Sequence, residues 1–346
     1  AIGLQMSPDY IGSPARPKDA AVAYTRSSTV GFLQKEELTL HVGGGFVETF
    51  AFGGLPPGFG QDGDCAPPGC LLPPPEKPWR LANFLGVSSV GFAKAVTEEY
   101  SLFSSYEKYV PKTNYWPPLR PGEQVENTST TLKYRLGDGG HIENSGVIAM
   151  LQRRAKKIVW WVSSFKPLPD HIDLCAAWES DAELLKHVVD QFYDKFGYGD
   201  HSGDFLSNNQ VFPKKEFAAI LCDMQRLIKN GKPAVVRRPA MKVLKNKWWG
   251  IAGGTVDILF VYLARCGAFE SSLPLDTKMA IEEQRFIWPE SAHGSLNRFP
   301  IYLTVFHNTK GLEDFISLNA LQINLLAAQA EYTVKVNARL FAEMLS

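Results

Sequence analysis

The sequence predicts an α/β fold, and three observations carry that prediction. Residues 131–163, TLKYRLGDGGHIENSGVIAMLQRRAKKIVWWVS, read in succession as strand, glycine break, helix and buried strand. Beyond them, amphipathic helical patterns alternate with short apolar runs such as TVDILFVYL. At 346 residues, with 45% hydrophobic and 21% charged side chains, the chain is long enough for a sizeable core and has globular composition.

Along the chain, Ile2, Leu4 and Met6 mark an opening strand, SPARPKDAAVAYTRSSTV a polar loop, and TLHVGGGFVETFAF a second strand region. Residues 55–80 hold eight of the 23 prolines, which fix φ and remove donors, so they predict a surface excursion without regular structure. From Arg80 onward, Leu81, Phe84, Leu85, Ser88, Phe92, Ala95, Val96 and Phe103 recur at helical spacing and predict an amphipathic helix against a sheet.

In 131–163, Leu132, Tyr134 and Leu136 alternate as a strand, Gly137 to Gly140 break it, SGVIAMLQRRA is helical and KIVWWVS is a strand. This predicts a right-handed parallel βαβ unit with Asp138 just past the carboxyl end of its first strand, where open α/β sheets place their chemistry. Asp-Gly is also a common hairpin turn, but residues 141–154 read as helix rather than a returning strand. DAELLKHVVDQFYDKF and PKKEFAAILCDMQRLIKNG follow as helices, the second with Pro213 near its first turn and Gly231 as its stop. AVVRR and TVDILFVYL are strands, and SLNALQINLLAAQAEYTV and NARLFAEML close the chain as helices.

Composition excludes several classes. Lys and Arg total 36 and so do Asp and Glu, so no bulk field gathers polyanions and no nucleic-acid partner is expected. The longest apolar stretches, Ile158 to Val162 and Ile258 to Ala264, fall far short of the roughly 18 residues of a membrane span, which predicts a protein soluble or peripheral to membrane. An organelle or the cytoplasm is expected ahead of secretion, and the NTS triplet at 127–129 is a glycosylation sequon only in a secreted protein. The 5 cysteines show no zinc spacing, and only Cys65 and Cys70 of CAPPGC are expected to pair. His141 and Glu143 lack the PCxxC that a zinc deaminase needs, so neither metal nor cofactor is expected.

The segment LGDGGHIENSGVIAMLQRRAKKIVWW resembles the DGG segment of patatin-like and cytosolic phospholipase A2-like acyl hydrolases. The family pattern, D[GS]GxxxN followed by an apolar helix, basic residues and an apolar strand, is met by Asp138, Gly140, Asn144, Arg153, Arg154 and Ile158 to Val162. Weaker similarity to the cytosolic phospholipase branch lies in LQMSPDYIG, WRLANFLGVSSVGFAKAV, RFPIYLTVFHN and SLNALQINLLAAQAEYT. The resemblance implies one α/β domain over 1–346, a three-layer sheet flanked by helices with the excursion 55–80 as a surface insertion, incomplete without an upstream segment. It implies Asp138 as base of a Ser/Asp dyad, Gly139 and Gly140 shaping the turn, a lipid or phospholipid substrate, peripheral contact with a membrane and no metal. A partly desolvated carboxylate gains the basicity to take a serine proton directly. Asn144 reads as a helix N-cap.

One departure bears on activity: no GxSxG elbow occurs in the 346 residues. If LQMSPDYIG corresponds to the family segment it resembles, the elbow lies before Ala1, and an upstream segment or chain supplies the serine and completes the sheet. An internal substitute would combine the glycine run Gly43, Gly44, Gly45 as oxyanion loop with Ser88 as nucleophile; Ser88, however, sits in a helical pattern. The competing class is a catalytically inactive, hydrolase-like scaffold or subunit of a larger assembly. The pairs Trp160-Trp161 and Trp248-Trp249 read as core aromatics in strands, and Lys242, Lys245 and Lys247 as a solvated basic loop.

Overall fold

The computed structural model describes residues 4–13, 24–29, 35–40, 45–54, 65–66, 69–70, 75–88, 112–115, 132–137, 139, 143–163, 167–176, 188, 190–199, 209–246, 248–284, 296, 299–302 and 318–346. They group into two units, 1–144 with 246–252 and 145–245 with 253–346, both drawn from a mixed α and β chain.

The first unit contains β1 (Gln5–Met6), β2 (Tyr10–Ser13), β3 (Tyr24–Thr29), β4 (Lys35–Leu40), β5 (Gly45–Glu48), β6 (Cys65–Ala66), β7 (Gly69–Cys70), helix α1 (Leu81–Ser88), β8 (Lys112–Tyr115) and β9 (Leu132–Arg135). β1, β2 and β5 form an antiparallel sheet in that order. The turn between its first two strands is closed by Ser7, whose Oγ accepts the Tyr10 N–H at 2.9 Å, and Pro8 sits where no donor is needed. Ile11 faces Val47 across β2 and β5, and both are buried. Phe52, Trp79 and Phe84 cluster nearby, with ring centroids 5.1 to 6.0 Å apart. Gly53 makes that closeness feasible: its φ is +89°, and a Cβ there would lie 2.9 Å from Thr113 Oγ1.

Three expectations are corrected in this unit. Residues 24–29 are not loop but a strand paired with β4, Tyr24 opposite Leu40. Ladder bonds come from the backbone, so a polar run containing Tyr and Thr pairs once a partner lies alongside. The proline-rich excursion contains a two-residue ladder with Cys65 opposite Cys70, and prolines 67 and 68 fall between its strands, where no ladder donor is required. β9 has β8 as an antiparallel partner, Tyr134 opposite Thr113, instead of forming a parallel pair with the strand at 157–162. Periodicity marks a segment as strand; long-range pairing chooses its neighbour. The predicted helix from Arg80 is seen as α1, with the Arg80 N–H bonded to Asn83 Oδ1 at 2.8 Å, while residues 89–111 lie outside the described part.

The second unit contains α2 (Val147–Gln152), β10 (Lys157–Val162), α3 (Asp190–Tyr193), α4 (Lys214–Lys229), β11 (Ala234–Val243), β12 (Gly254–Tyr262), α5 (Gly267–Ser272), α6 (Leu275–Gln284), α7 (Ala320–Val336) and α8 (Ala338–Leu345). The sheet order is β10-β12-β11, with β12 parallel to β10 and antiparallel to β11. Alternation along the strands divides the side chains between two faces. On one face Trp160, Phe260 and Tyr262 meet Phe192, which also packs against Phe217 of α4. On the other, Val159, Val235, Leu259 and Val261 pack against Leu340, Phe341 and Met344 of α8. Helical segments thus cover both faces of this sheet.

Pro239 breaks the β11 ladder because it has no N–H, and Ala240, at φ +48°, forms the bulge. Asp257 accepts the freed Ala240 N–H at 2.7 Å. α4 starts after Pro213 and ends before Gly231 at φ +68°, as its sequence predicts, and α7 begins with an Asn319/Gln322 capping box. A further core, built from Cys266, Phe269, Ile281, Leu296, Phe299 and Leu325, joins α5, α6 and α7.

Candidate functional site

Asp138, Gly140 and His141 lie outside the described residues, so the segment is defined by what flanks them. Gly139 is exposed, and its carbonyl accepts the Glu143 N–H at 2.9 Å. Asn144 is exposed and does not cap the following helix, contrary to the N-cap reading. Gly146 takes that position at φ +72°, and the hydroxyl of Ser145 accepts the Val147 N–H at 3.2 Å. The chain reaches the helix through a residue in the left-handed region, a conformation that glycine adopts without strain.

α2 buries Val147, Ile148 and Leu151, which places its opposite side and its end in solvent. The end is a Schellman turn: the Ala155 N–H bonds Met150 O and the Arg154 N–H bonds Leu151 O, both at 3.0 Å, with Arg154 at φ +57°. Arg153, Arg154, Lys156 and Lys157 are all exposed there. β10 is a strand as its sequence predicts, but it alternates instead of being buried throughout: Ile158, Trp160 and Val162 are buried, whereas Trp161, expected in the core beside Trp160, is 47% exposed and stacked on Phe341.

The internal substitute is not gathered into a site by the described residues. Ser88 is the last residue of α1, a helical position without a strand-to-helix elbow; Gly43 and Gly44 lie outside the described residues, and Gly45 opens β5 opposite Ser13. Trp249 is buried, but in a turn, where its N–H bonds Asn246 Oδ1 at 3.0 Å. Lys242 and Lys245 are exposed, but Lys242 lies within β11 instead of the expected loop; Lys247 and residues 127–129 lie outside the described part. Among the described residues no group of three or more His, Cys, Asp or Glu is placed to hold a metal ion, and no helix is long and apolar enough to cross a membrane.

The chain has no match among protein-family models, curated proteins or solved structures.

Two buried features were not anticipated from sequence. Asp194 and Lys195 are both 0% exposed; Lys195 Nζ donates to Asp194 Oδ1 at 2.9 Å and Oδ2 at 3.0 Å, and Asn209 Nδ2 donates to Oδ2 at 3.0 Å. The Lys195 carbonyl also accepts the Val211 and Phe212 N–H groups, so the pair pins residues 209–212 to 194–196. Its only signal was two charges embedded in the aromatic run FYDKFGY. The second is a disulfide between Cys175 and Cys222, Cα atoms 4.6 Å apart, which corrects the expectation that Cys65 and Cys70 alone could pair. The sequence separation of 47 between Cys175 and Cys222 hid it, since only the tertiary fold brings the loop 167–176 onto α4. One helical turn further on, Gln225 donates to Pro169 O and Ile172 O and accepts the Leu174 N–H, fastening the same loop.

Electrostatics at the lower end of the sheet centre on Arg237, which bonds both Asp257 and Glu343. The Ala240 N–H, followed by the Arg237 guanidinium, holds the Asp257 carboxyl below its ordinary range against the opposing effect of desolvation. Burial pushes the Cys266 thiol up, which leaves it a neutral, inert core group.

Proposed function

We propose that this chain is part of a lipid acyl hydrolase of the patatin-like or cytosolic phospholipase A2-like kind, with Asp138 as the base of a Ser/Asp dyad and a three-layer hydrolase sheet. The reading rests on one observation: a strand, then in the sequence the glycines Gly137, Gly139 and Gly140, and after them a short apolar helix, a basic turn and an apolar strand, in the order and spacing of the DGG segment. The serine comes from a segment outside these 346 residues, since none of them forms a GxSxG. Asp138 takes the hydroxyl proton as the serine oxygen attacks the ester carbonyl of a phospholipid or lysophospholipid. Collapse of the resulting intermediate breaks the ester C–O bond, and the departing alcohol takes the proton from Asp138. Water then attacks the acyl-serine, giving its proton to the freed carboxylate, and the serine oxygen recovers that proton as the fatty acid leaves.

The missing elbow favours a second reading, an inactive hydrolase-like scaffold or subunit. The two separate on Asp138→Asn, tested in a preparation containing the segment with the serine. The near-isosteric change keeps the fold, checked by circular dichroism, and lowers hydrolysis of a short-chain p-nitrophenyl ester by about 10²- to 10⁴-fold. Full activity in that variant refutes the dyad; no activity in the parent, together with no labelling by a fluorophosphonate probe, establishes the scaffold.

A further inference from the structure

The turn between α2 and β10 carries Arg153, Arg154, Lys156 and Lys157 in five consecutive positions, all exposed, in a chain whose formal net charge is zero. Two acidic residues that neighbour Lys157, Asp257 across the sheet and Glu343 of α8, have their carboxylates already engaged. Asp257 accepts from Arg237 and from the Ala240 N–H, and Glu343 accepts from Arg237 and Arg339. Among the described residues none of the four turn cations has a carboxylate partner within ion-pair distance. Cations held this close repel one another by Coulomb's law, with only Lys157 partly offset by the charge of Asp257, an arrangement that an anionic surface relieves.

Apolar side chains flank these charges. Met150, 49% exposed, lies one turn back along α2, at helical spacing from Arg153 and Arg154. Lys157 Nζ donates to Glu343 O at 2.8 Å, which brings the end of α8 beside the turn, and Leu345, two residues on, is 85% exposed. The Schellman turn fixes the backbone, so the cations project from an ordered element instead of a loose tail.

We propose that this cationic turn, with Met150 and Leu345, is the docking surface for a membrane containing anionic phospholipid. Cations meet phosphate and carboxylate headgroups, and the two apolar side chains enter the boundary between headgroups and acyl chains. A nucleic acid would be met by a broader basic field than this turn offers, and it would leave the exposed methionine and leucine in water. The choice of lipid over another polyanion rests in part on the acyl-hydrolase reading, but its test reads binding and not turnover.

The test is sedimentation of the protein with vesicles of phosphatidylcholine alone or mixed with phosphatidylserine. The protein pellets with the mixed vesicles, not with phosphatidylcholine, and is released as salt rises from about 0.1 M to about 0.5 M. Each cation near an anionic surface raises partitioning by about fivefold, so Arg153→Glu/Lys156→Glu lowers it by at least about 25-fold. Lys229→Glu/Lys232→Glu, a control pair also exposed, leaves it unchanged; circular dichroism of both variants verifies the fold. Equal binding to both vesicle types, no binding to either, or an equal loss in the control pair overturns the proposal. So does binding to duplex DNA at least as tight as to the mixed vesicles. If docking fails while hydrolysis still depends on Asp138, this surface is refuted and the dyad stands; docking without hydrolysis has the reverse meaning.

Discussion

Lys195→Met removes the cation facing a carboxylate that has no access to water. Asp194 and Lys195 are both 0% exposed, and Nζ makes two charge-assisted hydrogen bonds of 2.9 and 3.0 Å. Breaking a buried pair by deleting one partner costs about 3 to 5 kcal/mol, because the remaining charge keeps its desolvation penalty. Asn209 Nδ2 continues to donate to Asp194 Oδ2, and a hydrogen bond to a charged group is worth about 1.5 to 3 kcal/mol, so the lower end, about 3 kcal/mol, is expected. At about 2.1 cal/mol/K of unfolding entropy per residue, in a chain of 346 residues that lowers Tm by about 4 °C, read by differential scanning calorimetry. Lys195→Met/Asp194→Asn removes both charges and recovers most of the loss, since replacing a buried pair by neutral groups of similar size is close to neutral. A single variant within about 0.5 kcal/mol of the parent, or a double variant no better than the single, refutes the argument that the penalty is an orphaned charge.

Cys175→Ser/Cys222→Ala opens the loop that spans a sequence separation of 47, which by chain entropy costs about 4 kcal/mol; peptide mapping that finds both thiols alkylated without reductant refutes the bridge. The lowered Asp257 carboxyl sets the sign of a pH effect. Its folded pKa lies below its unfolded value of about 3.9, so its contribution is complete above about pH 5 and is lost as pH falls through the folded pKa. Asp257→Asn therefore loses less stability than the parent between neutral and acid pH, as urea midpoints measure, and equal losses contradict this origin.

Much of the second unit was legible in the sequence because its signals are local. The spacing of Phe217, Ile220, Leu221 and Met224 follows the helical repeat, and Pro213 and Gly231 delimit α4 by constraints on their own backbone. The strands at 157–162, 234–243 and 254–262 announced themselves by apolar, β-branched runs. The short helices α5 and α6 carried weaker patterns: α6 buries Ile281 alone among its described positions, so no stripe marks it. At the candidate site, the sequence marked the order of strand, glycines, helix and basic turn, but assigned the cap to Asn144 because N-cap statistics favour that side chain. The choice of Gly146 instead turned on a positive φ, which is a property of the path the chain takes.

What the sequence by itself determined is therefore where helices and strands lie and which face of each is apolar, since period, turn residues and caps act within a few positions. Only the tertiary structure decided that β9 pairs with β8, that β10 pairs with β12, that Cys175 meets Cys222, and that Lys195 is buried against Asp194. Each of these contacts joins groups whose partner is chosen by what the remaining packed chain leaves within reach. Even Lys195, adjacent to Asp194 in sequence, lies in a segment whose own Phe192 and Phe196 are packed over by Phe212 and Phe217 from further along the chain. Burial is a collective property of the fold, and no short window of residues encodes it.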